Sequence, residues 1–133
     1  LHPRTKKIVE NIGDKTFHQQ LMSTPNLIIT EPLSFFDITT LEMNAELIFT
    51  DSGGVQKEAY FFKKPCIILR NETEWVEIVE NNCAILCGSD TSKIVNAFYH
   101  FAQIKELKYP SIFGDGRSAE FICNQLILNK KQV

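Results

Sequence analysis

A chain of 133 residues that is 44% apolar and 23% charged has the make-up of an ordinary globular domain with a modest core. Its net charge of −2 argues against a nucleic-acid partner, and the basic pairs Lys6-Lys7, Lys63-Lys64 and Lys130-Lys131 lie apart, as solvated faces do. No apolar run approaches the roughly 18 to 20 residues of a membrane span, so no membrane partner is expected.

The chain opens at Leu1-His2-Pro3-Arg4 without an initiating methionine or a signal peptide and reads as a piece of something longer, while cysteines that suit free thiols in a reducing compartment make a cytoplasmic protein the expectation. From residue 5 to 18 the start is charged, and Ile8, Val9 and Ile12 suggest a short helix. A polar loop through Gln19, Gln20 and Ser23 to Pro25 is expected next. Four short apolar runs without clean alternation read as buried parallel strands: 26–30, 46–50, 65–69 and 83–87. Helices are expected between them at 34–44, after the turn signal Glu31-Pro32, at 55–62, after two glycines, and at 74–80. Asp90-Thr91 offers an N-cap for a longer helix, with Ile94, Ala97, Phe98, Phe101 and Ile104 at helical spacing. A polar stretch at 105–110 leads to the compact turn Phe113-Gly114-Asp115-Gly116-Arg117, and a last helix over 118–128 carries Phe121, Ile122, Leu126 and Ile127. Strands alternating with helices predict an α/β fold: one domain over 1–133, with a Rossmann-like parallel sheet and flanking helices.

The cysteines Cys66, Cys83, Cys87 and Cys123 form no CxxC pair, and no histidine completes a zinc set, so free thiols and no metal are expected. His18 and His100 have no informative spacing, and no Ser-His-Asp or Cys-His arrangement can be argued.

Residues 47–58, Leu-Ile-Phe-Thr-Asp-Ser-Gly-Gly-Val-Gln-Lys-Glu, carry the most chemistry. A strand, a glycine turn and a helix start in that order build a phosphate site, because the helix offers unpaired N–H groups at its positive end. The same residues would also serve a purely structural turn with a helix cap. A capping box would need Glu or Gln three residues after Ser52, where Val55 stands, so Glu58 needs another role. The turn is neither GxGxxG nor GxxxxGK[ST], and no lysine follows the glycines directly. A diphosphate held by backbone N–H groups, with Glu58 for ribose hydroxyls, suits a nucleotide-sugar. The second cluster, Arg70-Asn71-Glu72-Thr73-Glu74-Trp75-Val76-Glu77, follows the third expected strand, at the edge where such sheets bind ligands. Arg70 suits a phosphate there and Glu74 or Trp75 a sugar or base. A capped helix start is the alternative.

Thr50-Asp51-Ser52-Gly53-Gly54-Val55-Gln56-Lys57-Glu58-Ala59 resembles the TDSGGxQxEA signature of the non-hydrolysing UDP-N-acetylglucosamine 2-epimerases. The flanks agree in order: His2-Pro3, Glu31-Pro32-Leu33, Lys64-Pro65, Arg70-x-x-Thr73-Glu74 and Phe113-Gly114-Asp115-Gly116. The resemblance implies a partial C-terminal domain of a GT-B-type two-domain enzyme, without the acid/base residues of the other domain and without the Gly-His-Arg-Arg-Glu segment. The implied reaction inverts C2 of a UDP-sugar by eliminating UDP and adding it back. It needs no cofactor, and the parent protein would be a homodimer. By the same resemblance Ser52, Gly53 and Gly54 hold phosphate, Glu58 holds the ribose, the uracil lies near Leu33 and Ile38, and His2 lies by the cleft. The family pattern Thr-Glu-Arg-Pro-Glu is here Thr73-Glu74-Trp75-Val76-Glu77, so Trp75 replaces an arginine. That variant is similar to branches acting on modified sugars such as UDP-diacetamido-glucuronic acid. A donor-binding half of a GT-B glycosyltransferase and a non-enzymatic nucleotide-binding or interaction module remain as alternatives.

Overall fold

The computed structural model describes residues 3–11 and 15–130, which form two compact units divided in sequence between Leu41 and Glu42. The first unit holds helix α1 (Pro3–Asn11), α2 (Lys15–Ser23) and most of α3 (Phe35–Asn44). Helix α2 occupies much of the stretch expected to be a polar loop. Near its C-terminal end the Gln20 carbonyl accepts from the Thr24 hydroxyl at 2.6 Å, so polar side chains end the helix instead of preventing it. Helix α3 starts where expected. The Ser34 hydroxyl accepts the Asp37 N–H at 3.2 Å and donates to the Asp37 carboxylate at 2.6 Å, a compact N-terminal cap.

The expected strand at 26–30 is not formed. Asn26 adopts a left-handed φ of 65°, closing a turn, and Ile28 is 85% exposed. An apolar run becomes a strand only when a neighbour completes its ladder, and the sheet among the described residues has the order β1-β2-β3 without it.

The second unit is built on that parallel sheet: β1 (Ile48–Thr50), β2 (Cys66–Ile68) and β3 (Ala84–Leu86). Each lies inside an expected strand. The register pairs Ile48 with Cys66 and Cys66 with Ala84, so the strand ends are flush. Helix α4 (Gly53–Phe61) crosses from β1 to β2, and α5 (Val76–Glu80) from β2 to β3. Side chains alternate across the sheet. Ile48, Cys66, Ile68 and Ala84 pack with Ala59 and Tyr60 of α4 and Ile78 of α5. Ile67 faces the other way, onto Ala97 and Phe101 of α6 (Thr91–Gln103). Asp90 caps α6 as expected, its carboxylate accepting the Lys93 N–H at 3.0 Å.

Cys66, Cys83 and Cys87 are buried free thiols, and burial pushes the Cys66 thiol up to about 12, far from reactive thiolate. Cys123 is exposed, on α7 (Ser118–Lys130). The Arg117 guanidinium grips the Glu120 carboxylate at the start of that helix, at 2.9 Å through Nε.

Candidate functional site

The flush C-terminal ends of β1 and β2 place the two loops singled out in the sequence beside each other. Ser52 is the N-cap of α4, with extended backbone (φ −85°, ψ 126°), and its side chain makes no capping hydrogen bond. The first intrahelical bond runs from the Gln56 N–H to the Ser52 carbonyl at 3.1 Å, which leaves the N–H groups of Gly53, Gly54 and Val55 without a helical acceptor. The Ser52 N–H turns back to the Thr50 hydroxyl at 3.0 Å and fixes the turn. The sequence-level expectation that Ser52 is no capping-box residue agrees with this geometry.

The second loop closes over the first through contacts that spacing does not reveal. The Trp75 indole N–H donates to the Gly53 carbonyl at 2.8 Å. A Cβ on Gly53 would sit 3.1 Å from Glu74 Oε2, so the missing side chain makes room for this approach. Thr73 works in both directions: its hydroxyl accepts the Trp75 N–H at 3.0 Å and donates to Gln56 Oε1 at 2.5 Å. That capture of the Trp75 N–H delays α5 to Val76, two residues after its expected start. Gln56 is fully buried, so the glutamine of the signature joins α4 to the 70s loop.

Arg70 and Glu74 form a two-pronged ion pair, with N–O distances of 3.1 and 3.0 Å. The Arg70 hydrogen bond and charge hold the Glu74 carboxyl below its ordinary range. The guanidinium therefore already has one partner, and its Nε–H and the outer N–H groups are what it retains for a ligand. Trp75 is half-buried and meets Phe113 edge-on at 5.6 Å, while the Lys57 ammonium lies 4.2 Å from the Trp75 ring centroid and 4.6 Å from that of Phe113. Phe113 thereby brings the Phe-Gly-Asp-Gly turn against α4, with Gly114 and Gly116 at φ of 80° and 82°.

Glu58 is partly buried on α4, and the sequence gives no hint of its neighbour, Glu42 near the end of α3. Glu42 is 5% exposed, and burial first, then the Glu58 charge, raise its carboxyl above the ordinary range. Leu33 and Ile38 belong to the first unit and are 39% and 40% exposed. His2 lies outside the described residues. Among the described residues, no cluster of three or more His, Cys, Asp or Glu side chains could hold a metal ion, and no helix is long and apolar enough to cross a membrane.

The family model for UDP-N-acetylglucosamine 2-epimerase matches residues 1–127. A UDP-N-acetylglucosamine 2-epimerase homolog of Methanococcus maripaludis is 43% identical over 126 residues, covering 95% of this chain and 34% of that protein. The UDP-2,3-diacetamido-2,3-dideoxy-D-glucuronate 2-epimerase of Pseudomonas aeruginosa is 39% identical over 97 residues, 73% of this chain and 25% of that protein. The crystal structure of the Methanocaldococcus jannaschii UDP-GlcNAc 2-epimerase in complex with UDP-GlcNAc and UDP superposes with a TM-score of 0.77 at 41% identity, over 96% of this chain and 34% of that one. The chain thus spans about a third of the length of the relatives it matches. A family-model match over nearly the whole chain, relatives above 40% identity and a shared parallel α/β fold agree: the chain belongs to the UDP-N-acetylglucosamine 2-epimerase family.

Proposed function

We propose that this chain is the UDP-binding part of a UDP-sugar 2-epimerase, a partial C-terminal domain whose parent is a cytoplasmic homodimer. The observation that carries the reading is the unclaimed Ser52 hydroxyl beside the free N–H groups of Gly53, Gly54 and Val55. These donors, at the positive end of α4, would hold a diphosphate. Glu58, farther along α4, would accept from the ribose hydroxyls. In an elimination and re-addition at C2, UDP is the leaving group and then the nucleophile. Donors that hold it stabilise the charge that develops on the departing oxygen and keep it in place for return. Arg70 would add a contact through its remaining N–H groups. Trp75, anchored to Gly53, would present its ring where the family's arginine presents charge. A family relative named for a diacetamido-glucuronate substrate supports a UDP-GlcNAc or modified-sugar substrate class.

Titration calorimetry with UDP tests this. The full-length protein should bind UDP, and Glu58→Ala should lose that binding. UDP binding unchanged in Glu58→Ala would overturn the site. The 133-residue chain alone should show no epimerase activity, and detectable C2 inversion by it would overturn the assignment of acid/base residues to another part of the protein.

A further inference from the structure

Glu42 is a buried carboxyl without an ordinary partner. Both its oxygens are shielded from solvent, and no N–H or O–H donor among the described residues reaches either one. The group it meets, within hydrogen-bond reach, is the carboxyl of Glu58. Two ionised carboxylates cannot share such a place cheaply: each lone pair faces another, and the deeper one has also lost its water. One proton between them removes both conflicts, turning a repulsion into a short charge-assisted O–H···O bond. Burial disfavours the charged form of Glu42, whereas Glu58 is the more exposed member, so the proton belongs on Glu42.

We propose that Glu42 is a positioning residue: protonated, it donates to one Glu58 oxygen and so fixes the Glu58 carboxylate with its remaining lone pairs toward the two ribose hydroxyls of a nucleoside diphosphate. The inference rests on the reading of Glu58 as the ribose acceptor. A glutamate on a helix surface has several rotatable bonds, and a diol is best held by an acceptor whose rotamer is already set. Glu42 supplies that constraint from a second helix, and by removing its own charge it leaves a single negative charge near a ligand that is itself anionic.

The test uses UDP and 2′-deoxy-UDP as probes on the full-length protein, by calorimetry. Glu42→Met keeps the volume and drops the donor. It should weaken UDP about tenfold, the effect of one hydrogen bond to a charged group, while 2′-deoxy-UDP affinity changes much less. Glu42→Gln keeps a donor and should retain the preference for UDP that Glu42→Met loses. Equal losses for both nucleotides, or no loss for either, overturn the inference, as does a Glu42→Gln that behaves like Glu42→Met. Infrared difference spectra give a readout independent of nucleotide and of the methionine variant's folding: a protonated-carboxyl C=O band at neutral pH, absent from Glu42→Gln. A spectrum without that band overturns the shared proton. If UDP fails to bind, or binds equally to Glu58→Ala, the site reading itself falls. If Glu58→Ala loses UDP and Glu42→Met does not, only the role of Glu42 falls.

Discussion

Changing Trp75 to phenylalanine keeps an aromatic face against Phe113 and near the Lys57 ammonium but removes the indole N–H that reaches the Gly53 carbonyl. The expected cost is about 1 kcal/mol, read as a lower urea midpoint with an unchanged slope. No shift in midpoint would mean that the bond between the two loops contributes nothing. Glu42 has a pH signature. Its folded carboxyl titrates above the ordinary 4.5, so the unfolded chain binds fewer protons in the window that opens at 4.5 and extends upward. Stability from this group is therefore greatest below 4.5 and falls as pH rises through the folded value. Glu42→Gln should flatten that fall, measured by chemical unfolding across the window. Glu74, lowered by Arg70, acts in the opposite sense and loses its contribution as pH drops, so the comparison is between protein and variant at each pH. At this scale the sequence singles out Ser52, Gly53, Gly54 and Glu58 as candidates, because their spacing along one turn and helix is local. Glu42 and the Trp75–Gly53 bond depend on helices and loops meeting in space, which spacing does not encode.

Among the elements, the segment from Ile104 to Arg117 has no regular secondary structure and is held by side chains. The Tyr60 hydroxyl donates to the Pro110 carbonyl, and Phe113 meets Tyr60 and Trp75 edge-on and Phe61 at a tilt. Phe113→Ala should cost roughly 2 kcal/mol, below the full-burial range because the ring is only partly covered. In hydrogen exchange the loss should concentrate in residues 110–117, with β1, β2 and β3 keeping their protection. Loss of protection throughout the sheet would show that the turn is part of the core. The parallel strands at 46–50, 65–69 and 83–87 were legible because each is a short apolar run without clean alternation. Their regular pairing covers three residues each, since the flanking residues turn into crossovers. The run at 26–30 looked the same and formed no strand: composition records burial tendency, not whether a partner strand is there to pair with. Helix α2 was missed for the opposite reason, a polar sequence whose C-terminal end is bonded by local hydroxyls.

For the whole molecule, the chain is a third of its relatives' length, and it leaves large apolar side chains exposed on α3 and α7. Phe36 is 80% exposed on α3, and Phe121, Ile122, Leu126 and Ile127 are each more than half exposed on α7. Expressed alone, the 133-residue chain should bind an apolar fluorescent dye and self-associate with rising concentration in sedimentation, whereas the full-length protein should not bind the dye. A dye-free, monodisperse monomer of the short chain would contradict this. The family membership was legible because signature and flanks occur in order along almost the entire sequence, a constraint that no single motif supplies.

The starts of α4 and α6 differ in one respect. Asp90 closes α6 with its own carboxylate, but Ser52 leaves α4 open. A helix without a side-chain cap forgoes about 1 kcal/mol and frays at that end. An anion seated on Gly53, Gly54 and Val55 would finish the helix as Asp90 finishes the other. Nucleotide capture and completion of a secondary-structure element would then be one event, and the ligand would act as a detachable residue of the fold.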